Sequence, residues 1–307
     1  MKQTLAFLFL AVLILACDKS DDYYKSGKAA FDKGDYKLAI AKFDTALQLK
    51  PDNANAIATR GSARFNIEDY EGAVLDYTKG IELWPKDDQN KITLAPIYCD
   101  RADCYVALEK YDAAIEDFTL AITNNEKLAR AFASRGTAYF VTDFTDKAKT
   151  DFEQAITLDQ NNAEANYGLG NIKFDTEDFA GAIPYYNKAI ATNPSESSYF
   201  MDRGDAYYMT KKYDSAITDF TSTIKLNPKN AKAYVFRGDA KDELGQSTEA
   251  IEDYLKALEI DPNYGLAYYN LAIAKQRLKD KAGACEAFKK AVEAGYKNAE
   301  PFAADCK

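Results

Sequence analysis

Residues 203–220 read RGDAYYMTKKYDSAITDF. An arginine beside a small residue opens this stretch, and an aspartate follows sixteen positions after the arginine, directly before an aromatic residue. The same frame occurs at Arg60–Tyr77, Arg101–Phe118, Arg135–Phe152 and Arg237–Tyr254. A frame that recurs along one chain indicates a repeat architecture.

A second pattern sets the length of the repeating unit. Alanine recurs every 34 residues, apart from one interval of 41, at Ala39, Ala73, Ala114, Ala148, Ala182, Ala216, Ala250 and Ala284. An aromatic residue stands four positions after each alanine, at Phe43, Tyr77, Phe118, Phe152, Tyr186, Phe220, Tyr254 and Phe288. A glycine or alanine stands twelve positions before each, at Gly27, Gly61, Ala102, Gly136, Gly170, Gly204, Gly238 and Ala272. The sequence therefore predicts eight copies of one unit.

Each unit is predicted to form two antiparallel helices. A glycine in the middle of the first helix costs about 1 kcal/mol relative to alanine, so it requires a close approach of the second helix. The alanine of the second helix fits this contact, and we expect the aromatic residue one turn later to fill the wider gap beyond it. A turn signal such as Lys33-Gly34-Asp35 separates the helices. Proline ends five units, at Pro51, Pro85, Pro194, Pro228 and Pro262.

This pattern resembles the tetratricopeptide repeat (TPR), which has the same period and the same small and aromatic positions. The resemblance implies an all-α, right-handed solenoid of eight helix-turn-helix repeats, at 20–53, 54–87, 95–128, 129–162, 163–196, 197–230, 231–264 and 265–298. Repeat four carries its turn aromatic, Phe144, one position early. The extra residues at 88–94 either lengthen a flanking helix or form a longer loop. Residues 299–307 are predicted to form a short capping helix over the last apolar face.

The amino terminus, MKQTLAFLFLAVLILAC, contains one lysine and then an uncharged apolar run from Thr4 to Ala16. This run is too short to span a bilayer comfortably. Its end, Ile14-Leu15-Ala16-Cys17, resembles the lipobox of bacterial lipoproteins. The resemblance implies that residues 1–16 are a signal peptide and that Cys17 carries acyl chains such as palmitate, which anchor the protein in a membrane. The alternative is an ordinary secretory signal with an incidental cysteine.

Residues 17–22 are predicted to form a lipidated acidic tether. A solvated linker is the simpler interpretation, and Ser20-Asp21-Asp22-Tyr23 also resembles the acidic export signals that send lipoproteins to the cell surface in the Bacteroidota. The expected location is the outer membrane of a Gram-negative bacterium, with the protein facing the periplasm or the cell surface.

The composition of the 307 residues argues against several functions. A net charge of −9 and a pI near 4.9, with no basic run, argue against nucleic acid as a partner. The chain has no histidine, which excludes Ser-His and Cys-His mechanisms and histidine-ligated metal sites. It has no phosphate-binding loop and no metal-ligand spacing. We therefore expect no enzymatic activity, no cofactor and no metal site.

The cysteines beyond position 17 form two predicted groups. Cys99 and Cys104 are five residues apart on one predicted helix, about 8 Å between Cα atoms, which is too far for a disulfide. Both are better interpreted as small buried hydrophobic residues. Cys285 opens the second helix of repeat eight, and Cys306 ends the predicted cap, which should run back beside it. An exported protein meets an oxidising compartment, so we predict a Cys285–Cys306 disulfide, with two free thiols as the alternative.

The TPR resemblance implies that the first helices line a concave groove that holds a peptide or helix of a protein partner. The groove candidates are Tyr24, Phe31, Phe65, Phe140, Tyr167, Phe174, Met201, Asp202, Asp205, Tyr208, Phe236, Asp239 and Tyr269. Aromatic residues at this spacing also fit packing between repeats, and the aspartates also fit a solvated helix face. If the acidic residues bind, they favour a basic or amine-bearing segment.

Positions 7 and 23 of the repeat vary together. Arginine at position 7 and aspartate at position 23 occur in the same five repeats, and each is absent where the other is absent. Since co-varying positions usually touch, we predict an ion pair between the two helices of a repeat. The pairs are Arg60–Asp76, Arg101–Asp117, Arg135–Asp151, Arg203–Asp219 and Arg237–Asp253. The alternative is that these arginines point into the groove and bind an acidic ligand.

The sequence as a whole predicts a membrane-anchored scaffold or adaptor of the bacterial envelope. It is expected to bind segments of partner proteins in the groove without covalent chemistry. One alternative is an accessory lipoprotein subunit of an outer-membrane assembly or transport machine, where the convex surface binds. Another is a glycan-binding surface lipoprotein, which the groove aromatics support.

Overall fold

The computed structural model describes residues 19–85 and 91–306, and these residues contain no β-strand. The chain divides into two compact units, Met1–Gln160 and Asn161–Lys307. Unit 1 contains α1 (19–32), α2 (Tyr36–Leu49), α3 (Ala54–Phe65), α4 (Tyr70–Leu83), α5 (Lys91–Ala107), α6 (Tyr111–Asn124), α7 (Ala129–Val141) and α8 (Thr145–Leu158). Unit 2 contains α9 (Ala163–Asp175), α10 (Phe179–Thr192), α11 (Ser197–Met209), α12 (Tyr213–Leu226), α13 (Ala231–Glu243), α14 (Ser247–Ile260), α15 (Gly265–Arg277), α16 (Lys281–Glu293), a 3-10 turn (Lys297–Ala299) and α17 (Glu300–Ala304). The prediction of an all-α array of helical hairpins is confirmed.

The two helices of each hairpin are joined by a turn with a left-handed residue. Gly34 and Gly245 adopt φ = 78° at this position. Other repeats place an ordinary residue there, such as Lys211 with φ = 58°. The backbone N–H of the left-handed residue and the N–H of the next residue both donate to carbonyls near the end of the first helix, as Lys211 and Lys212 do to Tyr208 and Tyr207. This pattern satisfies carbonyls that the helix end leaves free.

Close packing between the two helices explains the glycine in the middle of the first helix. A Cβ atom built on Gly204 would lie 2.7 Å from the ring of Phe220, which is completely buried. The aromatic ring therefore lies directly against the glycine, rather than in a wider gap beyond the small-residue contact as we predict from sequence. Ala216 is also fully buried in this cluster. A side chain at position 204 would have to displace the ring, which a close-packed interior resists.

Two features of unit 1 differ from a regular repeat. Helix α5 begins at Lys91, so four of the extra residues, 91–94, lengthen this helix, and Leu94 packs in the adjacent core cluster. Of the predicted acidic tether at 17–22, residues 19–22 are helical and belong to α1. Ser20 is buried and donates a hydrogen bond to the Ala46 carbonyl, 3.0 Å away, whereas Lys19, Asp21 and Asp22 are exposed.

The early aromatic of repeat four has a different place from its counterparts. Phe144 is the residue before α8 and is 50% exposed, and its ring lies 6.2 Å from that of Tyr139. In repeat six the corresponding aromatic, Tyr213, is the first residue of α12 and contacts Tyr208 at 5.4 Å. Moving the aromatic by one position therefore changes which residue of the first helix it covers.

The end of unit 2 is closed by aromatic packing and by a disulfide. Phe302 of α17 stacks on Phe288 with ring centroids 5.0 Å apart, and it also contacts Tyr269 at 5.8 Å. Cys285 and Cys306 are bonded, with their Cα atoms 5.4 Å apart. The short helix thus covers the last hairpin, as a terminal cap of a repeat array must.

Candidate functional site

The arginines at position 7 all point across their own hairpin to the aspartate at position 23. In each of the five repeats, the Nε–H and an Nη2–H of the arginine donate to the two carboxylate oxygens, at 2.6–3.0 Å. The aspartate side chains are only 3–7% exposed and the arginine side chains 15–19%. A bidentate pair of this kind fixes the relative position of two helices.

A third contact, which the sequence reasoning missed, ties each of these arginines to the preceding repeat. The Nη1–H donates over 2.6–3.2 Å to position 25 of that repeat, which is Asp44, Thr78, Thr119, Asn187 or Thr221. A sequence signal was available, since position 25 is a short polar residue wherever the next repeat carries the arginine. Before repeat eight, which has Leu271 instead, position 25 is Leu255. Leu255 and Leu271 line one surface pocket, so apolar side chains stand where the other repeats have the polar contact.

Aromatic rings also lie over the guanidinium groups of four of the five arginines. The Arg203 guanidinium lies 5.7 Å from the ring centroid of Phe200 and 5.8 Å from that of Tyr207. Arg101, Arg135 and Arg237 have the same kind of contact. The three donor nitrogens and the aromatic-facing surfaces are therefore engaged within the protein, which favours the structural role over the alternative of gripping an acidic ligand.

The candidate groove residues lie on the first helices of the hairpins. Neighbouring first helices are in direct contact within each unit: α3 with α5 in unit 1, and α9 with α11, α11 with α13 and α13 with α15 in unit 2. Their outward sides form the surface that we call the first-helix face of a unit. Its candidate residues are half-buried at Tyr24, Phe31, Phe65, Phe140, Tyr167, Phe174, Tyr208, Phe236 and Tyr269.

Most of these aromatic residues also pack within the array. Phe31, Phe65, Phe174 and Tyr208 each make an edge contact with the turn aromatic of their own hairpin, at 5.0–5.5 Å. Tyr24, Tyr167, Phe236 and Tyr269 contact rings of second helices at 5.7–5.9 Å. Met201 is a correction, because it is 6% exposed and belongs to the core cluster around Phe220. It cannot offer a contact to a ligand.

Several acidic residues of the first-helix face are paired with other side chains, so they do not form the solvated helix face that the sequence alone also allows. In unit 1, Arg130 donates to Asp100 over 3.0 Å and also to Asp103. Burial raises the pKa of both carboxyl groups, and the charge of Arg130 lowers it. In unit 2, Arg277 pairs with Asp242 at 2.9 Å and with Glu243 at 3.4 Å.

Three aspartates of unit 2 lie on the two first helices between α9 and α15: Asp202 and Asp205 on α11, and Asp239 on α13. The hydroxyl of Tyr167 donates to Asp202. Asp239 accepts hydrogen bonds from the Tyr254 hydroxyl at 2.8 Å and from the Asn270 amide at 2.7 Å. Burial raises the pKa of Asp205 to about 7 and that of Asp239 to about 6, and neighbouring carboxylates add to both shifts.

Beside these carboxylates the first-helix face of unit 2 forms a pocket of about 240 Å³. Its lining residues are Phe174, Asp205, Tyr208, Met209, Phe236 and Asp239. Three aromatic rings and one thioether thus surround two carboxylates. The arrangement has no nucleophile beside a base, and what it offers a ligand is apolar contact and negative charge.

The other predicted features concern the remaining cysteines, metal binding and the membrane. Cys99 and Cys104 are buried and unbonded, and burial raises the pKa of both thiols to about 12. Cys17 lies outside the described residues. Within 19–85 and 91–306, no group of acidic and cysteine side chains could hold a metal ion. No helix in that part of the chain is long and apolar enough to cross a membrane.

Family models match the chain at the places where the hairpins lie. Residues 27–67 and 238–279 match a model described as TPR repeat, and residues 95–128, 134–197 and 266–298 match models described as tetratricopeptide repeat. The chain carries tetratricopeptide repeats. No curated protein is similar enough to match it.

Solved structures resemble this one over large parts of the chain. A tetratricopeptide repeat protein from Parabacteroides merdae is 20% identical with a TM-score of 0.59, over 84% of this chain and 99% of that one. YrrB, described as a TPR protein with an unusual peptide-binding site, is 24% identical with a TM-score of 0.51, over 62% and 95%. MamA is 27% identical with a TM-score of 0.50, over 54% and 96%. The first two likenesses show the fold alone.

Proposed function

We propose that the protein is a membrane-anchored scaffold or adaptor of the bacterial envelope, and that it binds segments of partner proteins on the first-helix faces without covalent chemistry. The observation that carries the binding role is the half-buried aromatic and acidic surface of unit 2. Tetratricopeptide repeats are typically scaffolds for protein–protein interaction, and YrrB, which shares the fold, has a peptide-binding site.

The first-helix face of unit 2 has the composition of a binding surface. Aromatic rings such as Phe174 and Phe236 are half-buried, so they are held rigidly and still present one side to a ligand. Rigid aromatic residues contribute much of the energy at protein interfaces because little conformational entropy is lost on binding. The carboxylates among them select for the charge of the partner.

The anchor is proposed from the amino-terminal sequence alone. The apolar run ends in Ile-Leu-Ala-Cys17, and the first described helix begins two residues later, at residue 19. Several acyl chains on Cys17 would hold the array at the membrane surface without a transmembrane helix. We propose the outer membrane as the location, with the protein facing the periplasm or the cell surface.

Labelling of cells with an alkyne fatty acid tests the anchor. The wild-type protein should incorporate the label, and the Cys17→Ser variant should not. A Cys104→Ser variant serves as the control, because that thiol is buried in the fold. Equal label on wild type and Cys17→Ser would contradict the anchor.

Affinity capture from detergent-solubilised envelopes tests the scaffold function. A set of protein partners that is lost when the first-helix face is altered would support it. A single stoichiometric membrane partner that is retained by such variants would instead support an accessory subunit of an envelope machine, which binds through the second helices.

A further inference from the structure

Position 9 of the repeat is polar in seven of the eight repeats, and in three of these the second helix of the hairpin donates a hydrogen bond to it. Where the buried aromatic of the second helix is tyrosine, its hydroxyl donates to position 9. The bonds are Tyr77 to Ser62 at 3.0 Å, Tyr186 to Asn171 at 2.9 Å and Tyr254 to Asp239 at 2.8 Å. A buried polar group without such a partner is costly.

Repeat six has no such donor. Position 9 is Asp205, and the aromatic residue beside it is Phe220, which has no hydroxyl to donate. No hydrogen bond or ion pair reaches the Asp205 carboxylate from any residue that the structure describes. Repeat three has the same combination, Asp103 with Phe118, but there Arg130 of the following repeat supplies the missing donor.

The residue of unit 2 that corresponds to Arg130 does not form an ion pair with Asp205. This residue is Lys232, at position 2 of repeat seven. Its ammonium lies 4.9 Å from the ring centroid of Phe236 and forms no ion pair with a described carboxylate. Its charge acts on Asp202 and Asp205 only from a distance. Asp205 therefore lacks a bonded counter-charge that its counterpart Asp103 has.

The surroundings of Asp205 fit a cation that arrives from outside. The pocket beside it is about 240 Å³ in volume, below the roughly 300–1,000 Å³ that drug-sized ligands occupy, so it suits a single side chain. Its walls are the rings of Phe174, Tyr208 and Phe236, and Asp205 and Asp239 lie among them. Aromatic faces attract ammonium and guanidinium groups, and a desolvated carboxylate strengthens that attraction.

We propose that this pocket binds a lysine or arginine side chain of the partner polypeptide, with its charge on Asp205 and its alkyl stem against Phe174, Tyr208 and Phe236. This inference rests on the proposed function and names the chemistry of the partner at one position. The bound cation takes the place in unit 2 that Arg130 holds in unit 1.

The pocket should bind its cation more weakly in acid. Burial raises the pKa of Asp205 to about 7, with Lys232 acting against the shift and Asp202 and Asp239 adding to it. A bound cation favours the ionised carboxylate, so affinity should fall as the pH is lowered through about 7. Asp239, whose pKa is about 6, adds a further loss below that value.

Selection from a random peptide library on the immobilised protein tests the proposal. We expect selected peptides to share one lysine or arginine and to lose at least about tenfold in affinity for the Asp205→Asn variant. The control is Glu252→Gln, which removes the same charge from an exposed site on α14 and should change affinity less than about twofold. Circular dichroism must show that both variants keep their helical content.

The outcomes separate this inference from the proposed function. Selected peptides without a shared basic residue, or equal losses in the two variants, would overturn the pocket while leaving peptide binding intact. If no peptide is selected, the proposed function fails on this surface. In that case N-acetyl-arginine methylamide is titrated into the protein, and binding is followed by NMR chemical shifts. If the shifts at residue 205 do not change in the wild type, or change equally in the Asp205→Asn variant, the pocket would also be overturned.

Discussion

Replacing Asp219 with alanine tests whether the arginine pairs hold the repeats in register. The variant leaves Arg203 with two N–H groups that no longer have an acceptor, while the bond to Asn187 remains. Hydrogen bonds to charged groups contribute about 1.5–3 kcal/mol each. Arg203 is 18% exposed, so water reaches part of it and the lower figure applies. We expect the free energy of unfolding to fall by about 3 kcal/mol.

The double variant Arg203→Leu/Asp219→Ala should be much less destabilised. It reproduces the pair that repeat eight carries naturally, Leu271 with Ala287. Removing both partners leaves no unpaired charge, so the loss should be below about 1.5 kcal/mol. The two single changes are then strongly non-additive, with a coupling of about 2 kcal/mol or more, on the order found for contacting residues.

The effect of Arg203→Leu alone should depend on pH. Burial already raises the pKa of Asp219, and the hydrogen bonds and charge of Arg203 lower it. Without Arg203 the folded-state pKa rises further above the ordinary value of 3.8. A raised carboxyl pKa costs stability as the pH rises from the ordinary value of 3.8 to the raised value, so this variant should be closest to wild type at or below about pH 4 and most destabilised at neutral pH.

Urea unfolding followed by circular dichroism measures these losses, and hydrogen exchange in α11 and α12 shows whether they are local. Because repeat arrays can unfold in parts, the exchange data are needed beside the midpoint. The exposed pair Lys256–Glu259 of α14 is the matched control and should show little or no coupling. Additive losses at Arg203 and Asp219 would refute the structural role.

Three further changes probe other parts of the fold. Gly245→Ala should lower the free energy of unfolding by about 1 kcal/mol in a urea titration, since φ is 78° and no atom crowds the added Cβ, so only the backbone is strained. The Cys285→Ser/Cys306→Ser variant should lose about 3 kcal/mol, on the chain-entropy model for a loop of 21 residues, and hydrogen exchange should rise first in the cap. Phe220→Tyr should raise the thermal midpoint by adding about 1 kcal/mol, because its hydroxyl can donate to Asp205, and an unchanged midpoint would contradict the pattern at position 9.

The fold was predictable because glycine and alanine recur along the sequence with the period of the repeat. Gly204 lies directly against a buried ring, so a larger residue would have to displace the ring, and a glycine meets the ring in the same way in five other repeats. The five ion pairs were predictable for a related reason. Both partners are absent together in three repeats, which is the information that an alignment of homologues would otherwise supply.

The candidate site was less predictable because it depends on contacts between repeats. Helical spacing places Asp103 and Asp205 on the same face, but it does not show that Arg130 satisfies the first and that no described side chain satisfies the second. The same reasoning placed Met201 on the face, whereas it packs into the core. The position of a residue on a helix predicts the direction in which its side chain points. The contacts that the side chain makes there depend on the neighbouring repeat.

The proposed function depends on partner binding to the first-helix face of unit 2. Site-specific photocrosslinking in intact cells tests it directly, with benzoylphenylalanine placed at Met209 or at Leu255. Both positions are about equally exposed, 51% and 47%, but Met209 lines the aromatic pocket on α11 and Leu255 lies on a second helix, α14. We expect a protein adduct from position 209, weakened by Asp205→Asn, and none from position 255. Adducts from position 255 alone would contradict it.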